Sequence, residues 1–210
     1  TKNIGLNRFV WNMRHNKLKG IPNVYIEGSY EGHQAIPGEY KVVLSYLDKE
    51  LFIDCEIIEN PLFSLSNSEY ESYHNFMTEA EKIYNEMTNL TNKYQVIKNE
   101  MVDFKSKINP SKEKNILNEI NSILNEIVKW DKIMVQRLSK AYDDVENFEN
   151  GFTAHYLHLL NEVDSGIPKL TKGSKMKLIE LNKQWKVYKK SAKRLIDSKI
   201  NEFNIKYKKG

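Results

Sequence analysis

The sequence predicts a mainly α protein with a small β part: an incomplete β-module over residues 1–62, then an antiparallel bundle of long helices over 63–210. Three observations carry this expectation. Apolar and polar residues alternate with period two over 5–13, 39–47 and 51–58. Steps of three and four then run without a slip from Tyr73 to Ile108. Nine glycines and five prolines are few for 210 residues, which suits long helices.

The β elements come first. Residues 5–13 place Phe9, Trp11 and Met13 on one face and Arg8, Val10 and Asn12 on the other. Residues 14–38 hold four of the nine glycines and two of the five prolines, and read as a loop with one short strand around Val24–Glu27. Tyr40, Val42, Leu44 and Tyr46 then share one side of a strand. Leu47-Asp48-Lys49-Glu50 reads as a hairpin turn, with a second strand at 51–58. Such a set is too small for a sandwich of about seven strands, so the first strands are expected upstream of residue 1. Phe9, Trp11, Tyr40, Val42, Leu44 and Ile53 are expected to form one small core. Cys55 alternates with Leu51, Ile53 and Ile57 and is expected to be buried among them.

Asn60-Pro61 breaks the alternation, and the helices begin. The first, about 69–107, carries a heptad seam from Tyr73 through Ala80, Met87, Tyr94 and Met101 to Ile108. Asn109-Pro110 ends it. Ser111 can cap a second helix, about 112–140, with an apolar stripe from Ile116 to Leu138. A break over Asp143–Gly151 precedes a short helix at about 152–163. Gly166-Ile167-Pro168 interrupts again, and Gly173-Ser174 can cap a last helix at about 174–205. Short connections predict antiparallel neighbours, with the first helix packed on the second and fourth.

Composition narrows the function. No apolar run reaches the roughly 18–20 residues of a membrane span, and the single cysteine excludes an internal disulfide or a cysteine-based zinc cluster. No phosphate-binding glycine loop, dinucleotide fingerprint or nucleophile elbow is present, so no cofactor is expected. Net charge is only +4, yet residues 169–210 alone carry 14 Lys and Arg against 3 Asp and Glu. Their candidate interaction residues are Lys189, Lys190, Lys193 and Arg194. Phosphate binding needs such cations, but stacking on bases needs exposed aromatics, and Trp185 and Tyr188 fall on the apolar stripe. A solvated or acid-compensated face is therefore favoured over a nucleic-acid site, with acids such as Glu79, Glu81, Glu119 and Glu126 as partners.

Three further clusters are candidate sites. His155, His158 and Glu162 share a helix face and could ligate zinc, but interhelix or surface polarity is the favoured reading. His15, His33 and His74 stand isolated in the sequence. Asp143, Asp144 and Glu146 could supply paired carboxylates, but capping suits residues beside a helix break better. Trp11 with Arg8 and Arg14 could bind a sugar or an anion. Core packing of Trp11 is favoured, with Arg8 and Arg14 pairing acids nearby.

The stretch Asn7-Arg8 through Trp11-Asn12-Met13-Arg14 resembles a signature of large bacterial BNR-repeat, sortilin-like β-propeller proteins, often described as glycosyl hydrolases. Pro37-Gly38-Glu39-Tyr40 matches that family's P-G-x-Y element. Tyr142–Phe148, Leu160–Ser165, Thr171-Lys172-Gly173 and Ile200–Asn204 are similar to its helical C-terminal region. Asn12 stands where aspartate is usual, and no Asp-box occurs in the chain. The resemblance implies an Ig-like β-module and helical bundle C-terminal to a propeller, with Asn7, Arg8, Trp11, Asn12 and Arg14 as a structural motif. It also implies an upstream β-propeller as partner, and a secreted, periplasmic or cell-envelope location. The expected role is a non-catalytic accessory region that also offers a protein-docking surface. The alternatives are a contribution to a glycan-hydrolysing site and a polyanion-binding last helix.

Overall fold

The computed structural model describes residues 4–207, and the protein is mainly α with a small β part. Two strands, β1 (Gly38–Tyr46) and β2 (Lys49–Ile57), form one antiparallel hairpin. The main helices are α1 (Asn67–Ser106), α2 (Lys114–Met134), α3 (Phe152–Asp164) and α4 (Lys172–Arg194). The last continues through a π-helical stretch, Leu195–Ile200, into α5 (Asn201–Tyr207).

Helix α1 starts where a reciprocal cap holds it. The Glu69 N–H donates to Ser66 Oγ, and the Ser66 N–H donates to the Glu69 carboxylate. Ser111 does not cap α2. Its N-cap is Glu113, whose carboxylate instead accepts the Asn109 N–H at 2.9 Å. Thr171 and Ser174 form a second reciprocal cap at the start of α4, so the helix opens two residues before the expected start.

Side-chain pairs give the direction of each helix. Glu86, Tyr94 and Phe104 of α1 meet Trp185, Ala192 and Phe203 in the same order, so α1 runs parallel to α4 and its extension. On α2, Glu119, Glu126 and Trp130 meet Lys206, Lys199 and Tyr188, the reverse order. On α3, Phe152 and Tyr156 meet Tyr188 and Asn182, again reversed. Helices α2 and α3 therefore stack end to end in one descending column between two ascending ones. The bundle has three columns, and neighbours across the α2–α3 joint are not antiparallel. Helix α1 packs on α3 as well as on α2, which four antiparallel helices did not anticipate.

The joint explains why α2 stops at Met134 rather than near 140. Arg137 turns back to grip Asp131 through Nε at 2.6 Å and Nη2 at 2.8 Å. Thr153 Oγ1 donates to the Met134 carbonyl at 2.8 Å, taking a C-terminal acceptor that another helical turn would need. Gly151 lies so close that a Cβ there would meet Val135 Cα at 2.6 Å. Leu138, expected inward, is consequently 63% exposed. The π stretch has a similarly local cause. Leu195 and Ile200 are both buried but five residues apart, a spacing that an α-helix would turn outward and a wider turn absorbs.

The core is one cluster. The α1 seam supplies Tyr73, Ala80, Met87 and Tyr94, each 0% exposed. Leu18, Ile21 and Ile26, from the glycine-rich segment before the hairpin, belong to the same cluster. A boundary near residue 62 thus follows the change in secondary structure but does not separate two cores. Around Val24–Glu27 there is no strand. The segment instead lies as a strap over α1 and α3. Its two limbs pair loosely, His15 N–H donating to the His33 carbonyl at 2.9 Å and Leu18 N–H to the Tyr30 carbonyl at 2.7 Å.

Residues 4–13 form no strand, and the expected β-core is absent. Phe9 is exposed, Trp11 is 38% exposed, and Val42, Leu44 and Ile53 lie open on the hairpin. Cys55 is half-buried rather than enclosed. These positions alternate as expected, but among the described residues no second sheet packs on them. Among the described residues, no helix is long and apolar enough to cross a membrane.

Burial ranks the seam positions. Met87→Lys puts a charge where no water reaches, and should destabilise by several kcal/mol. Leu90 and Ile97 are only half-buried, so Leu90→Lys can extend its ammonium to solvent and should cost about 1–2 kcal/mol. Urea unfolding of both variants checks the order. The cap gives a pH prediction. Glu69 is held down to about 2, first by the Ser66 N–H and then by Lys169. Its stabilisation is full above the ordinary value of 4.5 and is lost as pH falls towards 2. Hydrogen exchange over 67–72 should accelerate in that window, and Glu69→Gln should flatten the response.

Candidate functional site

Two places concentrate features that a packed helical block does not need: the hairpin with its approach segment, and the polar junction beneath it.

Register sorts the hairpin into two unlike faces. Tyr40 pairs with Cys55, Val42 with Ile53, and Leu44 with Leu51, so one face is apolar up to the Tyr46–Lys49 pair beside the turn. The other face is mainly polar, with Glu39 opposite Glu56, Lys41 opposite Asp54 and Ser45 opposite Glu50 around one apolar pair, Val43–Phe52, and Lys41 Nζ sits 4.6 Å from the centre of the Phe52 ring. Such alternation is the signature of a sheet buried on one side. Yet Leu44 and Ile53 are 64% and 68% exposed. With only two strands, both outer edges also keep unpaired backbone groups. Trp11 extends the apolar face, its ring 5.8 Å from Tyr40.

Just below, Trp11–Arg14 forms a tight turn with Met13 at φ 56°. The Trp11 indole donates to the Arg14 carbonyl at 2.9 Å, and Asn12 Oδ1 accepts the Arg14 N–H at 3.2 Å. Arg14 then reaches the Gly32 carbonyl at 2.9 Å and forms an ion pair with Asp164, the last residue of α3. Asp164 also accepts from the Tyr73 hydroxyl and from the Gln34 N–H. Burial and this carboxylate push the Tyr73 hydroxyl pKa far up, so it stays a donor. Of the motif residues, Asn12 and Arg14 thus build the junction and Trp11 locks the turn. Asn7 donates to the Gly5 carbonyl at 3.1 Å within an exposed segment, and Arg8 lies exposed there too. Of the two arginines expected to pair with nearby acids, Arg14 is shown to do so.

The junction gathers three histidines that the sequence leaves far apart. His33 is 1% exposed, and its Nδ1 faces Glu81 Oε2 at 3.0 Å while its backbone N–H donates to Oε1 at 2.7 Å. Its Nε2 lies 2.9 Å from Nδ1 of His74. The His15 ring stacks on His33 with centres 4.0 Å apart. One ring nitrogen from each lies within 4.8 Å of the other two. Burial first, then the neighbouring imidazole of His33, lowers the pKa of His15 and of His74, so these two rings favour the neutral form. Gly32 permits the assembly, since a Cβ there would lie 2.6 Å from the His15 carbonyl oxygen. The sequence signal was faint: His74 and Glu81 are seven residues apart on one face of α1, and His33 adjoins Gly32.

The other candidates disperse. His155, His158 and Glu162 all point outward from α3, and among the described residues only His15, His33 and His74 form a metal-compatible group. Asp144 accepts from the Lys140 N–H and the Asn147 amide within a 3-10 turn over Tyr142–Asn147, a capping role. The basic cluster splits by helix geometry. Lys189 pairs with Glu86 of α1, with Lys193 on the same side. Lys190 and Arg194 line an open groove towards α2, together with Lys186 and the pair Lys199–Glu126. Lys206 pairs with Glu119. Of the expected acids, Glu119 and Glu126 therefore face the last helix, whereas Glu81 serves His33.

Compared with protein-family models, with curated proteins and with solved structures, the chain matches none.

The Asp164 hub yields a direct test. Asp164→Ala leaves the partly buried Arg14 guanidinium and the Tyr73 hydroxyl without their acceptor. The expected loss is about 3 kcal/mol. Limited proteolysis should then cut within 14–36 while the far-ultraviolet signal of the helices persists.

Proposed function

We propose that this chain is a non-catalytic accessory region of a larger, secreted β-propeller protein. In this reading the hairpin completes an Ig-like β-module with strands from upstream in the parent chain. The helical bundle supports that module and presents a surface to a protein partner. One observation carries the reading: a hairpin patterned to be buried on one face holds that face, and both edges, open. A lone two-stranded ribbon is marginal in water. Strands are the fitting cover, because they satisfy the edge groups and the apolar face together. Trp11, beside that face, lengthens the surface available to them. The resemblance of Trp11–Arg14 and Pro37–Tyr40 to the sortilin-like proteins supports the identity of the parent. The junction beneath fixes the angle at which the hairpin leaves the bundle.

Hydrogen exchange tests this, comparing the 210-residue chain with the longer parent. The amides of 38–57 should exchange fast in the former and be strongly protected in the latter. Val42→Ser with Ile53→Ser should abolish that protection without melting the helices. Equal exchange in both proteins would overturn the reading. The isolated chain should not hydrolyse glycans.

A further inference from the structure

We infer that His15, His33 and His74 form a binding site for a divalent transition-metal ion of the zinc type. The inference goes beyond the accessory role and does not depend on it.

Donor chemistry comes first. Three imidazoles suit zinc, nickel or copper, and not magnesium or calcium, which prefer oxygen. The rings come from three separate places, the two limbs of the strap and α1, and converge beneath the hairpin. Zinc bound at about 2.0–2.1 Å holds tetrahedral nitrogen neighbours about 3.4 Å apart. Here the three donors lie within 4.8 Å of one another, and two of them 2.9 Å apart. The His15 and His33 rings stack with 16° between their planes, so uptake of an ion turns the His15 ring out of the stack to aim its lone pair.

Glu81 supplies the supporting shell. Its carboxylate lies 3.0 Å from His33 Nδ1 and clamps the His33 backbone N–H at 2.7 Å, which turns Nε2 towards His74. Carboxylate–histidine–metal relays are built this way. Hydrogen bonds alone do not account for the cluster. His33 Nε2 and His74 Nδ1 share one hydrogen bond at 2.9 Å, while the shielded His15 Nε2 and His33 Nδ1 are both left without a hydrogen-bond partner. A cation among the rings takes all three lone pairs. Three protein ligands leave a fourth position for solvent or for a donor from outside the chain. The ion would tie strap to helix and stiffen the base of the hairpin.

The test uses the full 210-residue chain, stripped with chelator and titrated with zinc chloride by calorimetry. One equivalent should bind. Nickel should compete, magnesium should not, and cobalt should give the visible absorption of a nitrogen-ligated site. His15→Ala and His74→Ala should each weaken binding by more than the roughly 10–100-fold expected for Glu81→Gln. His155→Ala with His158→Ala should leave it unchanged. Imidazole nitrogen NMR of the unmutated chain covers the case where a variant fails to fold: zinc should shift the signals of His15, His33 and His74. Absence of stoichiometric zinc uptake would overturn the inference. So would uptake that survives both single variants, or shifts confined to His155 and His158.

Discussion

The Asp164 carboxylate holds together parts that would otherwise be independent. It sits at the last turn of α3, where a bare acid is disfavoured by the helix dipole. Arg14 reverses that balance by bringing a guanidinium to the same point. Once the pair forms, the strap must lie across α1 and α3, because Gln34 and Tyr73 donate to the same carboxyl group. The remaining order follows from that placement. Leu18, Ile21 and Ile26 enter the helical core, the histidines stack, and β1 departs from a fixed point three residues after Ala35. An ion pair of this kind adds little net stability when exposed, but here it selects one arrangement among several that hydrophobic contact alone would allow.

Charge distribution in the last helix has a similar logic. Fourteen basic residues after position 168 suggest a polyanion partner when read as a sum. The helical repeat divides them instead. Lys189 and Lys193 fall towards α1, while Lys190 and Arg194 fall towards α2. Glu86, Glu119 and Glu126 then meet Lys189, Lys206 and Lys199 along both flanks. Exposed pairs of this kind are screened by solvent and add little stability one by one. Together they favour one rotation of the last column about its own axis.

Legibility in the sequence tracked the range of the interaction. The α1 seam was readable because Tyr73, Met87 and Tyr94 repeat at local spacing and tertiary packing agreed with it. Hairpin alternation was readable for the same reason, down to the shared face of Tyr40, Val42, Leu44 and Tyr46. The end of α2 was not, because Thr153 and Gly151 terminate it from a distant segment. Stacking of α2 on α3 was hidden too, since a connection over 135–151 carries no local mark of direction. The histidine cluster spans residues 15 to 74, and only folding of the strap brings it together. Trp11 was misplaced for a different reason. Alternation reports that a face is apolar, not that a covering layer is present.

That distinction bears on how the two halves of the molecule relate. The helical columns satisfy themselves: Tyr73, Ala80, Met87 and Tyr94 are enclosed and the α1 and α4 starts are capped. The hairpin does not, yet it is far from randomly attached. Tyr40 Oη donates to the Ile36 carbonyl at 2.7 Å, and Trp11 packs on the same ring, so the root of β1 is fixed while its tip projects. Leu47 at the tip holds φ 50° in the open, with nothing local to enforce a left-handed residue there beyond the tight two-residue loop. A ribbon so anchored has little orientational freedom left to lose, and pre-organisation of this kind lowers the cost of ordering in any association.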